Sequence, residues 1–201
     1  MTERGNQAEV QSCRSRERSF WHKFPEKAEL NQYWYSKATV DVLAEEVLAQ
    51  TKDGDRCGFL STPSVYFAVK AKLKGSRELI LLDIDDKFAT EGESFIRFDF
   101  QQPRDIPARI HHSIDFVLID PPFITKEVWE RYAESSRLLL RPTTGKALLS
   151  TIEENEMLLH SLLGCRIQRF KPSIPHLVYQ YALFANYDSS FLQAANPEVE
   201  D

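Results

Sequence analysis

Cysteine is scarce: Cys13, Cys57 and Cys165 are widely spaced, with no CxxC pair or Cys/His cluster. That excludes a disulfide framework and a structural zinc site. Glycine is nearly as sparse at seven residues, and no Gly-rich loop joins a strand to a helix. A dinucleotide is therefore disfavoured, because its pyrophosphate needs close backbone approach at a helix N-terminus. No apolar run approaches membrane-spanning length, and the N-terminus lacks the apolar stretch of a secretion signal. The chain reads as an intracellular, cytoplasmic protein without a membrane partner. An excess of positive charge is missing too: 25 Lys and Arg stand against 30 Asp and Glu, a net charge of −5. General nucleic-acid binding, which needs clustered cations to neutralise phosphates, loses ground, leaving room only for a local basic patch. An acidic domain suits a basic protein partner.

What is present fits one soluble domain. The 201 residues are 42% hydrophobic and 27% charged, enough for a sizeable core. Residues 1–18 are polar and charged and read as a disordered tail, with Arg14, Arg16 and Arg18 solvated. A single domain is expected over 19–195, then an acidic tail over 196–201 that frays; a monomer is expected.

Inside the domain, strand and helix patterns alternate. Val40, Leu43, Val47 and Leu48 recur at helical spacing between Ala38 and Gln50. Cys57 to Ser61 is a short apolar strand, and Thr62-Pro63 reads as an N-cap and first position of a helix running to about Leu73. Glu78 to Ile84 and Ser94 to Phe98 are further strands. Ser113 to Ile119 is the strongest, nearly continuous in apolar residues as a doubly buried parallel strand is. A helix from Lys126 to Leu140, a strand from Lys146 to Ser150 and a helix from Glu153 to Leu163 follow. Arg166 to Lys171 and Leu177 to Ala185 read as a closing pair, with Pro172 and Pro175 between them. The pattern predicts an open, mostly parallel α/β sheet with a C-terminal antiparallel hairpin.

In such sheets ligands sit at the carboxyl ends of the strands. Polar residues fall there in this chain: Ser61, Thr62 and Ser64 after the first strand, Asp83 and Asp85 after the second, Asp99 after the third, Asp120 after the fourth. An acid ending the second strand typically binds ribose hydroxyls, and either Asp83 or Asp85 can take that part. Asp120-Pro121-Pro122-Phe123 carries the most chemistry. Proline holds the chain extended and removes donors, leaving carbonyls free to accept. A carboxylate with such carbonyls can hold an amine by its N–H groups, and Phe123 offers a face to a base or a lysine arm. Methyl transfer from a sulfonium needs a neutral nitrogen held in line in a dry site. A Pro-rich turn whose Asp caps the next helix is the plainer alternative. Gln32-Tyr33-Trp34-Tyr35-Ser36 serves either as a core staple or as a lid over the site. His111, His112 and His176 lack partners at ligand spacing, and no metal site is expected.

Taken together, Gln32 to Ser36, Pro63-Ser64-Val65-Tyr66, Phe98-Asp99-Phe100, Ile119 to Phe123 and Asn186-Tyr187-Asp188-Ser189 resemble the eukaryotic protein-lysine methyltransferases that modify translation elongation factor 1-alpha. That family was first classed as N6-adenine DNA methyltransferases for its DPPF/DPPY motif. The similarity runs from about Phe24 to Ser189. It implies a seven-stranded, Rossmann-like class I fold, S-adenosylmethionine as donor and a lysine of elongation factor 1-alpha as acceptor. It also implies that Asp83 or Asp85 binds the ribose, that Asp99 lies beside the adenine and that Asp120, Pro121, Pro122 and Phe123 receive the amine. Trp34, Tyr35, Ser61, Thr62, Pro63 and Ser64 would line the cofactor pocket. Two departures stand out: Val178-Tyr179-Gln180-Tyr181 replaces an Asn-Glu-Phe-Arg-like stretch, and Asp86 stands where the family tends to be basic. Two rival readings remain at this point, an N6-adenine methyltransferase acting on RNA or DNA, with Phe123 stacking on a flipped base, and a catalytically degenerate binding subunit.

Overall fold

A computed structural model describes residues 19–200. The expected disordered tail and its arginines lie outside the described residues. Seven strands form one sheet in the order β3-β2-β1-β4-β5-β7-β6. β1 (Arg56–Leu60), β2 (Glu78–Asp83), β3 (Phe95–Arg97), β4 (Phe116–Ile119) and β5 (Lys146–Thr151) run parallel. β7 (Ala182–Ala185) is antiparallel to both β5 and β6 (Arg166–Ile167), which supplies the C-terminal hairpin. The mostly parallel α/β architecture is as the alternating pattern predicts.

The helices cover both faces because the strands are apolar on both. Side chains alternate across a strand, so Phe59, Leu81, Phe116 and Leu118 pack on one face with α1 (Ser19–Lys23), α2 (Lys37–Gln50) and α3 (Pro63–Lys72). Leu60, Leu82, Val117 and Ile119 pack on the other with α4 (Lys126–Leu139) and α5 (Glu156–Leu163). Ser36 caps α2 by accepting from Thr39 N at 3.1 Å. Thr62 does stand at the N-cap of α3, but its hydroxyl makes no cap bond and points to Leu118 O, at 3.4 Å.

Two expectations change at the C-terminal end. The closing strands are shorter than their apolar patterns suggest, and residues 168–181 form a long connection. Pro172 and Pro175 cannot donate to a ladder, and Phe170 N turns aside to Leu192 O, at 2.9 Å. The tail expected to fray from Asn196 is pinned at its first residue. Asn196 is buried, and its Nδ2 donates to Lys171 O at 2.8 Å.

The turn into β5 shows how tightly the sheet is framed. A Cβ placed on Gly145 would lie 2.8 Å from both Arg141 O and Leu140 Cβ. One of those atoms is backbone, so the strain cannot be relieved by a rotamer change. Gly145→Ala is expected to lower stability by about 1–3 kcal/mol, read as a reduced urea midpoint with an unchanged slope.

Candidate active site

Three strand ends and two chain crossings enclose a cavity of about 280 Å³. It lies at the carboxyl ends of β1, β2 and β4, where the strand order reverses between β1 and β4, the position at which open α/β sheets bind ligands. Ser61, Asp83 and Asp120 arrive directly from those strands. Ser61 stands where a glycine-rich loop would begin, and it adopts φ +57°. That left-handed backbone costs a non-glycine residue about 1–2 kcal/mol. Its Oγ lies 2.7 Å from the Tyr132 hydroxyl, which ties the strained turn to α4.

Of the two acids after β2, Asp83 lines the cavity and Asp85 does not. Asp83 is 4% exposed and accepts Asp85 N at 2.9 Å. Asp85 is committed elsewhere: Lys27 Nζ reaches its Oδ1 at 2.9 Å and Gln32 Nε2 its Oδ2 at 3.3 Å. It thereby fastens the segment before α2 onto the end of β2, and Lys27 helps hold its carboxyl below the usual range despite burial.

That segment does three jobs within five residues. Gln32, Tyr33 and Trp34 line the cavity, Tyr35 is buried behind it, and Ser36 caps α2. The stretch is thus divided between cavity wall and packed interior, residue by residue. Trp34 is fixed by Nε1 donating to Phe24 O at 2.8 Å and by N donating to Glu26 Oε1 at 2.7 Å. Asn31 Nδ2 donates to Pro122 O, so one carbonyl expected to face a substrate already has a partner in the chain.

Asp120 itself is partly open to the cavity. Ser150 Oγ donates to its Oδ1 at 2.7 Å, and the Tyr35 hydroxyl lies 2.6 Å from Ser150 Oγ. Pro121 and Pro122 also line the cavity; Phe123, 49% exposed, stands at its mouth. Asp99 lines it between Phe98 and Phe100, and Phe100 stacks on Tyr132 with centroids 5.8 Å apart. Thr62, Pro63 and Ser64, expected in the pocket, are buried in the opening of α3 and do not line it.

Sequence reasoning missed Ser150, Tyr132, Asn31 and Tyr181. The connection over 168–181 brings Ile174, Leu177 and Tyr181 to the cavity, a reach that no local pattern announces. Tyr181 falls in the stretch that departs from the family pattern, the one signal that could have drawn attention to it.

Residues 26–189 match a family model described as "Probable N6-adenine methyltransferase". The chain belongs to this family. EEF1A lysine methyltransferase 1 of Bos taurus and that of Homo sapiens are each 35% identical to it over 166 residues. Those alignments cover 82% of this chain and 72% and 76% of the two relatives. A solved structure titled "putative RNA methyltransferase", from Pyrococcus horikoshii, shares the fold with a TM-score of 0.51 at 15% identity, covering 80% of this chain and 89% of that one. The protein is therefore a methyltransferase with a Rossmann-like fold.

Membership of this family does not make every family motif a site. Asn186 to Ser189 lies at the opening end of β5, away from the cavity. Asn186 Oδ1 accepts Ala147 N at 2.8 Å, and Ser189 Oγ donates to the buried Glu46 Oε2 at 2.8 Å. In this methyltransferase that motif fastens the end of the chain to α2 and β5.

Burial raises both cavity-floor carboxyls, Asp83 and Asp120, from 3.8 to about 7. In the unfolded chain they titrate near pH 4, so between about pH 4 and 7 the folded protein holds more protons and loses stability as the pH rises. Asp120→Asn removes one ionisation that the fold resists. It is expected to raise the thermal midpoint at pH 8 and leave it nearly unchanged at pH 4, as differential scanning fluorimetry at the two pH values will read.

Proposed function

We propose that this chain transfers methyl groups from S-adenosylmethionine to a lysine ε-amine of translation elongation factor 1-alpha, in the cytoplasm and as a monomer. The carrying observation is the charge of the cavity wall. Glu29, Asp83, Asp99 and Asp120 contribute carboxylates, and among the described residues no Lys, Arg or His lines it. A nucleic acid would bring phosphates against that wall without a cation to neutralise them. An ammonium and a sulfonium are both drawn to it. The names of the two curated relatives point the same way.

The donor fits the residues present. Ser61 and Asp83 offer hydroxyl and carboxylate at the switch point, and among the described residues no basic side chain lines it to grip a phosphate. S-adenosylmethionine supplies an electrophilic methyl group on a positively charged sulfur. Asp83, being in the cavity, takes the ribose hydroxyls in place of the committed Asp85, with Trp34 and Asp99 beside the same ligand. Asp120, Pro121, Pro122 and Phe123 receive the acceptor.

A lysine must arrive without its proton, against a free pKa near 10.4. Desolvation favours the neutral amine, while an ionised Asp120 favours the ammonium. Asp120 therefore positions the amine, with Ser150 holding Oδ1 and Oδ2 left for the nitrogen, and the proton departs through water. Phe123 at the mouth covers the alkyl arm and keeps the site dry.

A radiolabelled methyl-transfer assay offering purified elongation factor 1-alpha and total RNA side by side tests the acceptor; label in the protein is expected, and label only in RNA overturns the reading. Asp120→Ala is expected to cut transfer by about 100-fold or more with the cofactor dissociation constant little changed, read by calorimetry. In the same titration Asp83→Ala is expected to weaken cofactor binding by about tenfold, and Asp85→Ala by less.

A further inference from the structure

Asp120 is reached by a chain of hydroxyls that begins in the core. Ser150, near the end of β5, has one proton, and it is donated to Asp120 Oδ1 at 2.7 Å. The Tyr35 hydroxyl, 2.6 Å from Ser150 Oγ, must then be the donor in that second bond. Both residues are buried, Ser150 completely. Tyr35 follows Gln32, Tyr33 and Trp34, which line the cavity, yet it does not line it.

We propose that Ser150 and Tyr35 are positioning residues of the methyl-transfer reaction, a two-step hydrogen-bond chain that turns Asp120 toward the acceptor and favours its ionised form. The Ser150 bond fixes one carboxylate oxygen and the Tyr35 bond fixes Ser150, so rotation of Asp120 is restrained and the other oxygen has one orientation. Bonds donated to an ionised carboxylate stabilise it against burial. Donation from Tyr35 polarises the Ser150 hydroxyl and strengthens its bond to Asp120.

Other groups around Asp120 do not supply this. Tyr181, at the end of the connection before β7, and Tyr132 from α4 have their hydroxyls pushed upward by burial first and by the charge of Asp120 besides, and both stay neutral. Asp83 on β2 brings a like charge to the same cavity. The two hydroxyls of Ser150 and Tyr35 are what act against the desolvation of Asp120.

The test follows the Asp120 carboxyl carbon by ¹³C NMR through a pH titration of the full chain, in wild type, Ser150→Ala, Ser150→Thr, Tyr35→Phe and the double variant Ser150→Ala/Tyr35→Phe. Ser150→Ala is expected to weaken acid ionisation about tenfold, moving the midpoint up by about one unit. Ser150→Thr, which keeps the hydroxyl, restores it. Tyr35→Phe gives an upward shift smaller than that of Ser150→Ala, because Ser150 donates to the carboxylate and Tyr35 acts chiefly by holding Ser150. The acid limb of the kcat/KM profile for elongation factor 1-alpha moves with the midpoint, and kcat falls more than KM rises.

A midpoint unchanged in Ser150→Ala overturns the proposal, as does a Tyr35→Phe shift larger than that of Ser150→Ala. Should Ser150→Ala fail to fold, an unchanged midpoint in Tyr35→Phe overturns it equally. The catalytic part rests on the function proposed above, whereas the titration needs no acceptor. A shifted midpoint in a protein that labels only RNA would therefore overturn the lysine reading and leave the hydroxyl chain standing.

Discussion

Everything in the site hangs on where β4 stops. Phe116, Val117, Leu118 and Ile119 are fully buried, hydrogen-bonded on both edges and packed on both faces. A carboxylate cannot follow them into that core without a partner, so Asp120 comes to rest at the first point where solvent reaches the sheet. Its backbone N still donates to Leu60 O at 3.1 Å, so the acid is held by the sheet itself rather than by a loop. The two prolines that follow keep the chain extended and deliver Phe123 to the mouth. Neighbouring strands end at the same level, and for the same reason Ser61 and Asp83 share the cavity.

The arrangement is costly in two places. Ser61 holds a left-handed backbone that a glycine would adopt freely, and two carboxyls are buried where their ionisation is resisted. Strain and desolvation of this kind concentrate where a ligand is to be held, since each is relieved by what binds. A cationic donor beside Asp83 and Asp120 would stabilise their charged forms, which water does poorly in so confined a space. The stability that burying these carboxyls costs becomes affinity for a ligand of the right sign.

A second theme is that the cavity wall is assembled from distant pieces by polar fasteners. Lys27 with Asp85, Asn31 with Pro122 O, and Glu26 with both Trp34 N and His176 draw the segment before α2 and the connection after β6 over the strand ends. None of these contacts does chemistry. They fix which residues face inward, so Trp34 reaches the cavity and its neighbour Tyr35 does not.

Much of this was legible in the residues alone. The doubly apolar strands demanded a parallel sheet covered on both sides, and the polar residues after each strand located the ligand edge, because periodicity and burial are local consequences of side-chain type. Asp120 to Phe123 named the chemistry for the same local reason. The choice between Asp83 and Asp85 was not legible, since it turns on Lys27, 58 positions away. Thr62, Pro63 and Ser64 looked like pocket residues by position, yet the opening of α3 buries them. Asn186 to Ser189 carried the family resemblance without a stated role, and its bonds to Glu46 and the start of β5 give it a structural one. Ser150 gave no signal at all, being an ordinary serine in an apolar strand. The sequence by itself determined the sheet, its ligand edge and the acid that ends β4 there, because each follows from hydrophobic period and strand ends. Only the tertiary structure decided which acid faces the cavity and which hydroxyls support Asp120, because hydrogen bonds between remote segments depend on where the whole fold brings them.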